Sequence, residues 1–137
     1  MGKLVSEIMA KDIISLEIED SLKDAANIFE QIRIRHIPVV SGESLLGIVS
    51  KSDVARMKEF CQILESGSKE MLAELEAVSV KVIMKKPITI NASQTVKEAA
   101  EILSKSQFHA LPVVSDNKMV GVITSTDIIK YFVLIGD

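Results

Sequence analysis

Apolar residues along this chain first alternate, then recur at three-and-four spacing, then alternate again, and the whole order occurs twice. Ile14, Leu16 and Ile18 alternate with polar neighbours, which predicts a half-buried strand. Asp20-Ser21 follows, with Ser21 and Asp24 in capping-box spacing, so a helix begins there, its inward face Leu22, Ala25, Ala26, Phe29 and Ile32. A strand over Ile37 to Val40, a polar turn (Ser41-Gly42-Glu43-Ser44) and a second strand ending at Ser50 complete the unit. Farther along, Ile88 and Ile90 predict a strand, and Val96, Ala99, Ala100 and Leu103 a helix stripe. Leu111 to Val114, the turn Ser115-Asp116-Asn117-Lys118 and a strand ending at Thr124 then predict a hairpin.

The second series is a copy of the first. His36-Ile37-Pro38-Val39-Val40 recurs as Ala110-Leu111-Pro112-Val113-Val114. Gly47-Ile48-Val49-Ser50-Lys51-Ser52-Asp53 recurs as Gly121-Val122-Ile123-Thr124-Ser125-Thr126-Asp127, both at an offset of 74. Ile8-Met9 maps to Ile83-Met84 at 75, so a one-residue length difference lies between Met9 and Ser15. From Ser15 to Met57, ten of 43 positions are identical at the offset of 74, and most other apolar positions exchange among Ile, Val, Leu and Met. Strands joined through a helix can lie parallel, and strands joined by the turn antiparallel. The expected fold is α+β with α/β-type repeats, each a small β-sheet with packed helices. Residues 1–65 form the first repeat, 66–79 a helical linker and 80–137 the second. In the connection, Asp53 to Leu64 reads as helix, Ser66-Gly67-Ser68 breaks it, and Lys69 to Ala77 resumes with Met71, Leu72 and Leu75 on one side. That face serves either intrachain packing or self-association.

Composition narrows the functions. The 137 residues are 47% hydrophobic but 4% aromatic, with no Trp, so the core must be aliphatic. Sixteen Lys+Arg against nineteen Asp+Glu leave a formal charge of −3, without the basic stripe interleaved with aromatics that nucleic-acid binding calls for. One cysteine, Cys61, and two histidines leave little ligand stock for a metal, and Cys61 is expected to be a packed, unreactive thiol. No secretory h-region and no spanning apolar run is found, so a cytoplasmic, metal-free protein is expected. No Ser/His/Asp or Cys/His set with plausible spacing and no Walker-type glycine loop is found, which argues against an enzyme. Met9 and Met84 are expected to fill core near the repeat starts.

A Ser or Thr at a strand end, followed after two residues by Asp in the first turn of a helix, gathers a hydroxyl, free backbone N–H groups and a carboxylate. Asp can accept two ribose hydroxyls, and the helix start favours phosphate oxygens. The same residues also make an ordinary helix cap, and Asp can do both. Two copies of Gly-hydrophobic-hydrophobic-Ser/Thr-x-x-Asp, each preceded by hydrophobic-Pro-Val-Val, resemble the cystathionine beta-synthase (CBS) domain, and the tandem resembles a Bateman module. The resemblance covers nearly the whole chain and includes the Ile-Met near each repeat start. It implies two repeats related by pseudo-two-fold symmetry and a stand-alone, non-catalytic regulatory module. AMP, ADP, ATP or S-adenosylmethionine would bind in clefts between the repeats.

Carried over residue by residue, the resemblance implies one cleft of Ile48, Ser50, Ser52 and Asp53 with Ile83, Ile88, His109 and Ala110. The other comprises Val122, Thr124, Thr126 and Asp127 with Ile8, Ile14, Arg35 and His36. Aliphatic side chains would sandwich the adenine, and strand backbone would read its edge. Arg33, Arg35 and His36 are expected beside the Asp127 cleft, where the guanidinium would favour the more phosphorylated ligand; equally, these arginines suit a helix end. Lys51 is either the corresponding charge at the other cleft or a solvated lysine. His36 and His109 are expected to line the clefts or bond at strand edges, not to hold a metal.

The resemblance also implies a homodimer, with Val54 to Met57 and Ile128 to Val133 as candidate contact surface, and a regulated protein that the sequence does not identify. The competing reading is a protein-interaction or dimerisation module with no small-molecule ligand.

Overall fold

The computed structural model describes residues 2–65 and 69–135, with the side chains of residues 60–65, 71 and 72 excepted. The expected Ser66-Gly67-Ser68 break lies outside the described residues, as do the side chains of Cys61 and of Met71 and Leu72 on the expected linker face. The elements are β1 (Leu16–Glu17), α1 (Leu22–Gln31), β2 (His36–Ser41), β3 (Ser44–Ser50), α2 (Lys51–Glu65) and α3 (Lys69–Glu76). They are followed by β4 (Ile90–Asn91), α4 (Val96–Lys105), β5 (Ala110–Ser115), β6 (Lys118–Thr124) and α5 (Ser125–Ile135). The mixed α+β class and the strand–helix–hairpin–helix order of each repeat are as the sequence predicts.

The chain divides into two compact units that do not follow the linear repeats. One, the Asp53 unit, is Ile14–Gly42 with Leu46–Pro87. The other, the Asp127 unit, is Met1–Ile13 with Glu43–Leu45 and Ile88–Asp137.

In the Asp53 unit, β1 runs parallel to β2, with Leu16 opposite Val39, and β3 is the next strand. The opening strand is shorter than the alternation suggests, and Ile14 is exposed. Helix α1 begins at the expected box: Ser21 Oγ accepts the Asp24 N–H at 3.2 Å, and Asp24 Oδ2 accepts the Ser21 N–H at 2.9 Å. Its three-and-four stripe puts Leu22, Ala25, Ala26 and Phe29 in the core beside Val39 and Val49. Ile32, expected on that face, is the C-cap and is partly open to solvent. The remaining wall comes from a short 3₁₀ turn at Val80–Val82, whose Val80 is wholly buried. Burial of a valine contributes roughly 1.5–2 kcal/mol, so this turn is a core element. It is tied down by Leu22 N–H to Val78 O and Val80 N–H to Asp20 O, at 2.9 and 2.8 Å.

The Asp127 unit repeats the plan. β4 runs parallel to β5, with Ile90 opposite Val113, and β5 pairs antiparallel with β6. Asp116 and Asn117, at the β5–β6 turn, have φ of 49° and 65°, the positive pair that a tight type I′ hairpin requires. Thr95 and Glu98 box the start of α4, and Val96 and Ala99 are buried with Leu111 and Ile123. Here the 3₁₀ turn is Val5–Glu7, and Val5 is fully buried. Val5 N–H donates to Gln94 O and Val96 N–H to Lys3 O, both at 2.8 Å.

Candidate functional site

The two Gly-to-Asp motifs are built alike in backbone. Each starts on a glycine over which a 3₁₀-turn segment packs closely. A Cβ on Gly47 would stand 2.8 Å from Met84 Sδ and 3.1 Å from Lys85 O; on Gly121 it would stand 2.6 Å from Met9 Sδ and 2.8 Å from Ala10 O. Glycine is present because another backbone needs that space. Met9 and Met84 are partly buried against their units' cores, as expected, and they also fill the space above these glycines. The residues after them pair with the strand: Ile48 and Lys85 exchange N–H···O bonds of 2.8 and 2.9 Å, and Ala10 and Val122 do the same at 2.8 and 2.9 Å.

The strand then ends at Ser50 or Thr124 and becomes a helix. Ser50 Oγ accepts the Asp53 N–H, and Thr124 Oγ1 accepts the Asp127 N–H, each at 3.0 Å. Up to here the two motifs agree; their carboxylates do not. Asp127 Oδ2 accepts the Thr124 N–H at 2.9 Å, closing a reciprocal capping box. Asp53 turns to cations instead: Arg56 Nη2 donates to Oδ1 at 2.7 Å, and Lys85 Nζ lies 3.2 Å from Oδ2. Oδ2 is buried and receives no hydrogen bond of good geometry, so the Lys85 contact is electrostatic in character. Burial of Asp53 opposes its ionisation. Lys85, the Ser50 hydroxyl and Arg56 more than offset that opposition, and the carboxyl titrates below its ordinary value of 3.8.

Ile48, Ser50, Ser52, Asp53 and Ile83 fall within the Asp53 unit, and Val122, Thr124, Thr126, Asp127 and Ile8 within the Asp127 unit. Ile83 and Ile8 pack at the edges of the two cores, whereas Ser52 and Thr126 are exposed at the second helical position. Ile88, His109 and Ala110, expected with Asp53, belong to the Asp127 unit; Ile14, Arg35 and His36, expected with Asp127, belong to the Asp53 unit. Arg33 is also in the Asp53 unit, and Arg35 O accepts the Lys51 N–H at 2.8 Å, beside the start of α2. His109 O accepts the Ser125 N–H at the same distance at the start of α5. Lys51 is exposed.

Lys85 and Arg56, the two cations on Asp53, do not stand out as site residues in the sequence, although Arg56 lies three residues beyond Asp53 in α2. Lys85 does carry a signal: at the offset of 75 that aligns Ile83-Met84 with Ile8-Met9, it stands against Ala10. Among the described residues no group of three or more His, Cys, Asp or Glu could hold a metal ion, and no helix is long and apolar enough to cross a membrane.

The duplicated strand–helix turn with its Gly-to-Asp sequence defines a tandem module, and comparison with known proteins places it. The CBS domain model matches residues 5–59 and 78–134, so the chain belongs to the CBS domain family as a tandem pair. It is 30% identical over 133 residues to the protein MJ1225 of Methanocaldococcus jannaschii, spanning 96% of this chain and 48% of that one. The MJ1225 crystal structure superposes with a TM-score of 0.83. The CBS domain pair of protein MJ0100, solved in complex with 5′-methylthioadenosine and S-adenosyl-L-methionine, is 27% identical, with a TM-score of 0.72 and coverage of 99% and 100%. CBSX2 of Arabidopsis thaliana in complex with AMP shares the fold at 23% identity, with a TM-score of 0.80 and 98% of both chains covered. The chain spans about half or less of the length of the curated relatives it matches.

Proposed function

We propose that this chain is a non-catalytic regulatory module that binds an adenosine-containing ligand, AMP, ADP, ATP or S-adenosylmethionine, and signals through conformation or association. The observation that carries this reading is the paired Gly-to-Asp turn. Each copy sets a carboxylate and a hydroxyl at a helix start, and each unit also holds an aliphatic pair, Ile48 and Ile83 in one and Val122 and Ile8 in the other, of which Ile83 and Ile8 pack at the core edge. A carboxylate and hydroxyl suit a ribose, and an aliphatic pair suits an adenine face. Ser50, Ser52, Thr124 and Thr126 complete the polar contribution. The adenosyl compounds bound to the MJ0100 pair support the ligand class.

Isothermal titration of the purified chain with each of the four compounds tests this reading. Saturable binding is expected, part of it lost in Asp53→Ala and the other part in Asp127→Ala. Bound ligand at about 100 times its dissociation constant should also stabilise the fold by roughly 2.7 kcal/mol, a melting shift that provides a second readout. If a folded chain binds none of them, it is a protein-interaction module.

The association reading has its own support. Ile129, Phe132, Val133, Leu134 and Ile135 on α5 are all at least half exposed, an apolar surface that a second copy of the chain would cover. Of the residues expected there, Val54 and Ile128 face inward and are buried, because they occupy the core side of α2 and α5. A concentration-dependent dimer by light scattering, weakened by Phe132→Glu, is the expected result.

A further inference from the structure

We propose that Lys85 makes the Asp53 motif charge-selective, favouring adenosyl ligands with an anionic group on the 5′ carbon over neutral nucleosides or sulfonium compounds. This rests on the adenosyl reading above and adds the residue that decides ligand charge. Two cations, Arg56 at 2.7 Å and Lys85 at 3.2 Å, converge on one carboxylate, so the cluster carries one positive charge more than Asp53 can balance. The Asp53 side chain is 14% exposed while that of Lys85 is 69% exposed, so most of the lysine stem is open to solvent beside the carboxylate it pairs with. A ribose held through its 2′ and 3′ hydroxyls brings its 5′ substituent within the sweep of a four-carbon stem. An anion at that point supplies the missing negative charge, whereas a sulfonium adds to the excess.

The backbone pairing at this place does not require a lysine. Ala10 occupies the equivalent place in the Asp127 unit and makes the same two backbone bonds to its strand. Because Lys85 is fixed by its own pair of bonds to Ile48, its stem starts from a defined point of the motif and not from a mobile loop.

Titration with AMP and with adenosine isolates the effect, in an Asp127→Asn background that leaves only the Asp53 motif competent, with Asp127→Ala as a second background should Asn distort the cap. With Lys85 present, AMP should bind about tenfold tighter than adenosine, and the ratio should shrink with added salt. Lys85→Ala should bring the ratio close to one by weakening AMP alone, with adenosine binding unchanged or tighter because Asp53 is freed. Lys85→Arg should keep the preference. An AMP-to-adenosine ratio unaltered in Lys85→Ala overturns the proposal and leaves the adenosyl reading intact. Failure of both compounds to bind either background with Lys85 present overturns that reading at this motif, and the proposal with it.

Discussion

The beginnings of α2 and α5 carry the same motif and use its acid differently. Asp127 returns to the Thr124 N–H and completes a cap, while Asp53 leaves its own N-cap N–H aside and faces Arg56 and Lys85. The backbone frames agree at both ends, down to the 3.0 Å bond from the Asp N–H to the Ser or Thr hydroxyl. What differs is a neighbour: Lys85 where the other unit has Ala10, and Arg56 where it has Lys130. A helix-start carboxylate has two good uses, and the nearest cation decides between them. A duplicated motif therefore does not imply duplicated chemistry.

The sharpest way to break this equivalence of frame is to fill the glycines. Gly121→Ala would drive a Cβ to 2.8 Å from Ala10 O, a backbone atom that cannot swing aside. A loss of about 3 kcal/mol is expected in urea unfolding. In Gly47→Ala the nearest backbone atom is 3.1 Å away and the closer contact is the flexible Met84. The expected loss there is about 1–2 kcal/mol. Equal losses would show that the two 3₁₀ segments fit their strands equally tightly.

Next in size is the carboxylate itself. Asp127→Ala removes half of a capping box and should cost about 1–2 kcal/mol. Asp53→Ala leaves the Ser50 bond intact and releases Lys85 and Arg56 to water, so its cost should stay below about 1 kcal/mol. Thermal or urea unfolding of the two variants in parallel checks the order.

Acid sharpens the contrast further. Because the folded pKa of Asp53 lies below the ordinary value of 3.8, its ionised form contributes stability above that value that is lost as pH falls through the lower folded pKa. The charge-dependent part of the difference between wild type and Asp53→Asn should therefore hold down to about pH 4 and fade below it. A difference unchanged from neutral pH to full protonation would remove the ion-pair account. The smallest effect belongs to Arg56→Ala, whose side chain is 70% exposed. It should cost only about 0.2–0.5 kcal/mol, detectable mainly at low salt.

Much of this was legible in the residues. The Ser21/Asp24 spacing located the start of α1, and Ser50 and Thr124 end β3 and β6 as their motifs indicated. The stripe beginning at Leu22 chose the buried face of α1 because helical period alone sets which side chains share a side. Ile14, Ile32 and Ile88 were expected inside and lie at least a third exposed. Each sits just outside a short regular element, where alternation or helical period no longer governs direction. The 3₁₀ turns that supply Val5 and Val80 left no periodic signal, since three residues are too few to show one.

The duplication, the α+β class, the caps and the two Gly-to-Asp motifs follow from the residues alone, because each is written in local spacing and backbone preference. It takes the folded chain to show that residues 78–85 close the unit holding Asp53 and residues 3–10 the unit holding Asp127, and therefore that Lys85 reaches one carboxylate while Ala10 leaves the other to its cap. The difference is one of range. A cap is settled within one helical turn, but the partner of a carboxylate is whichever charge the packing of a distant segment delivers to within 4 Å or so.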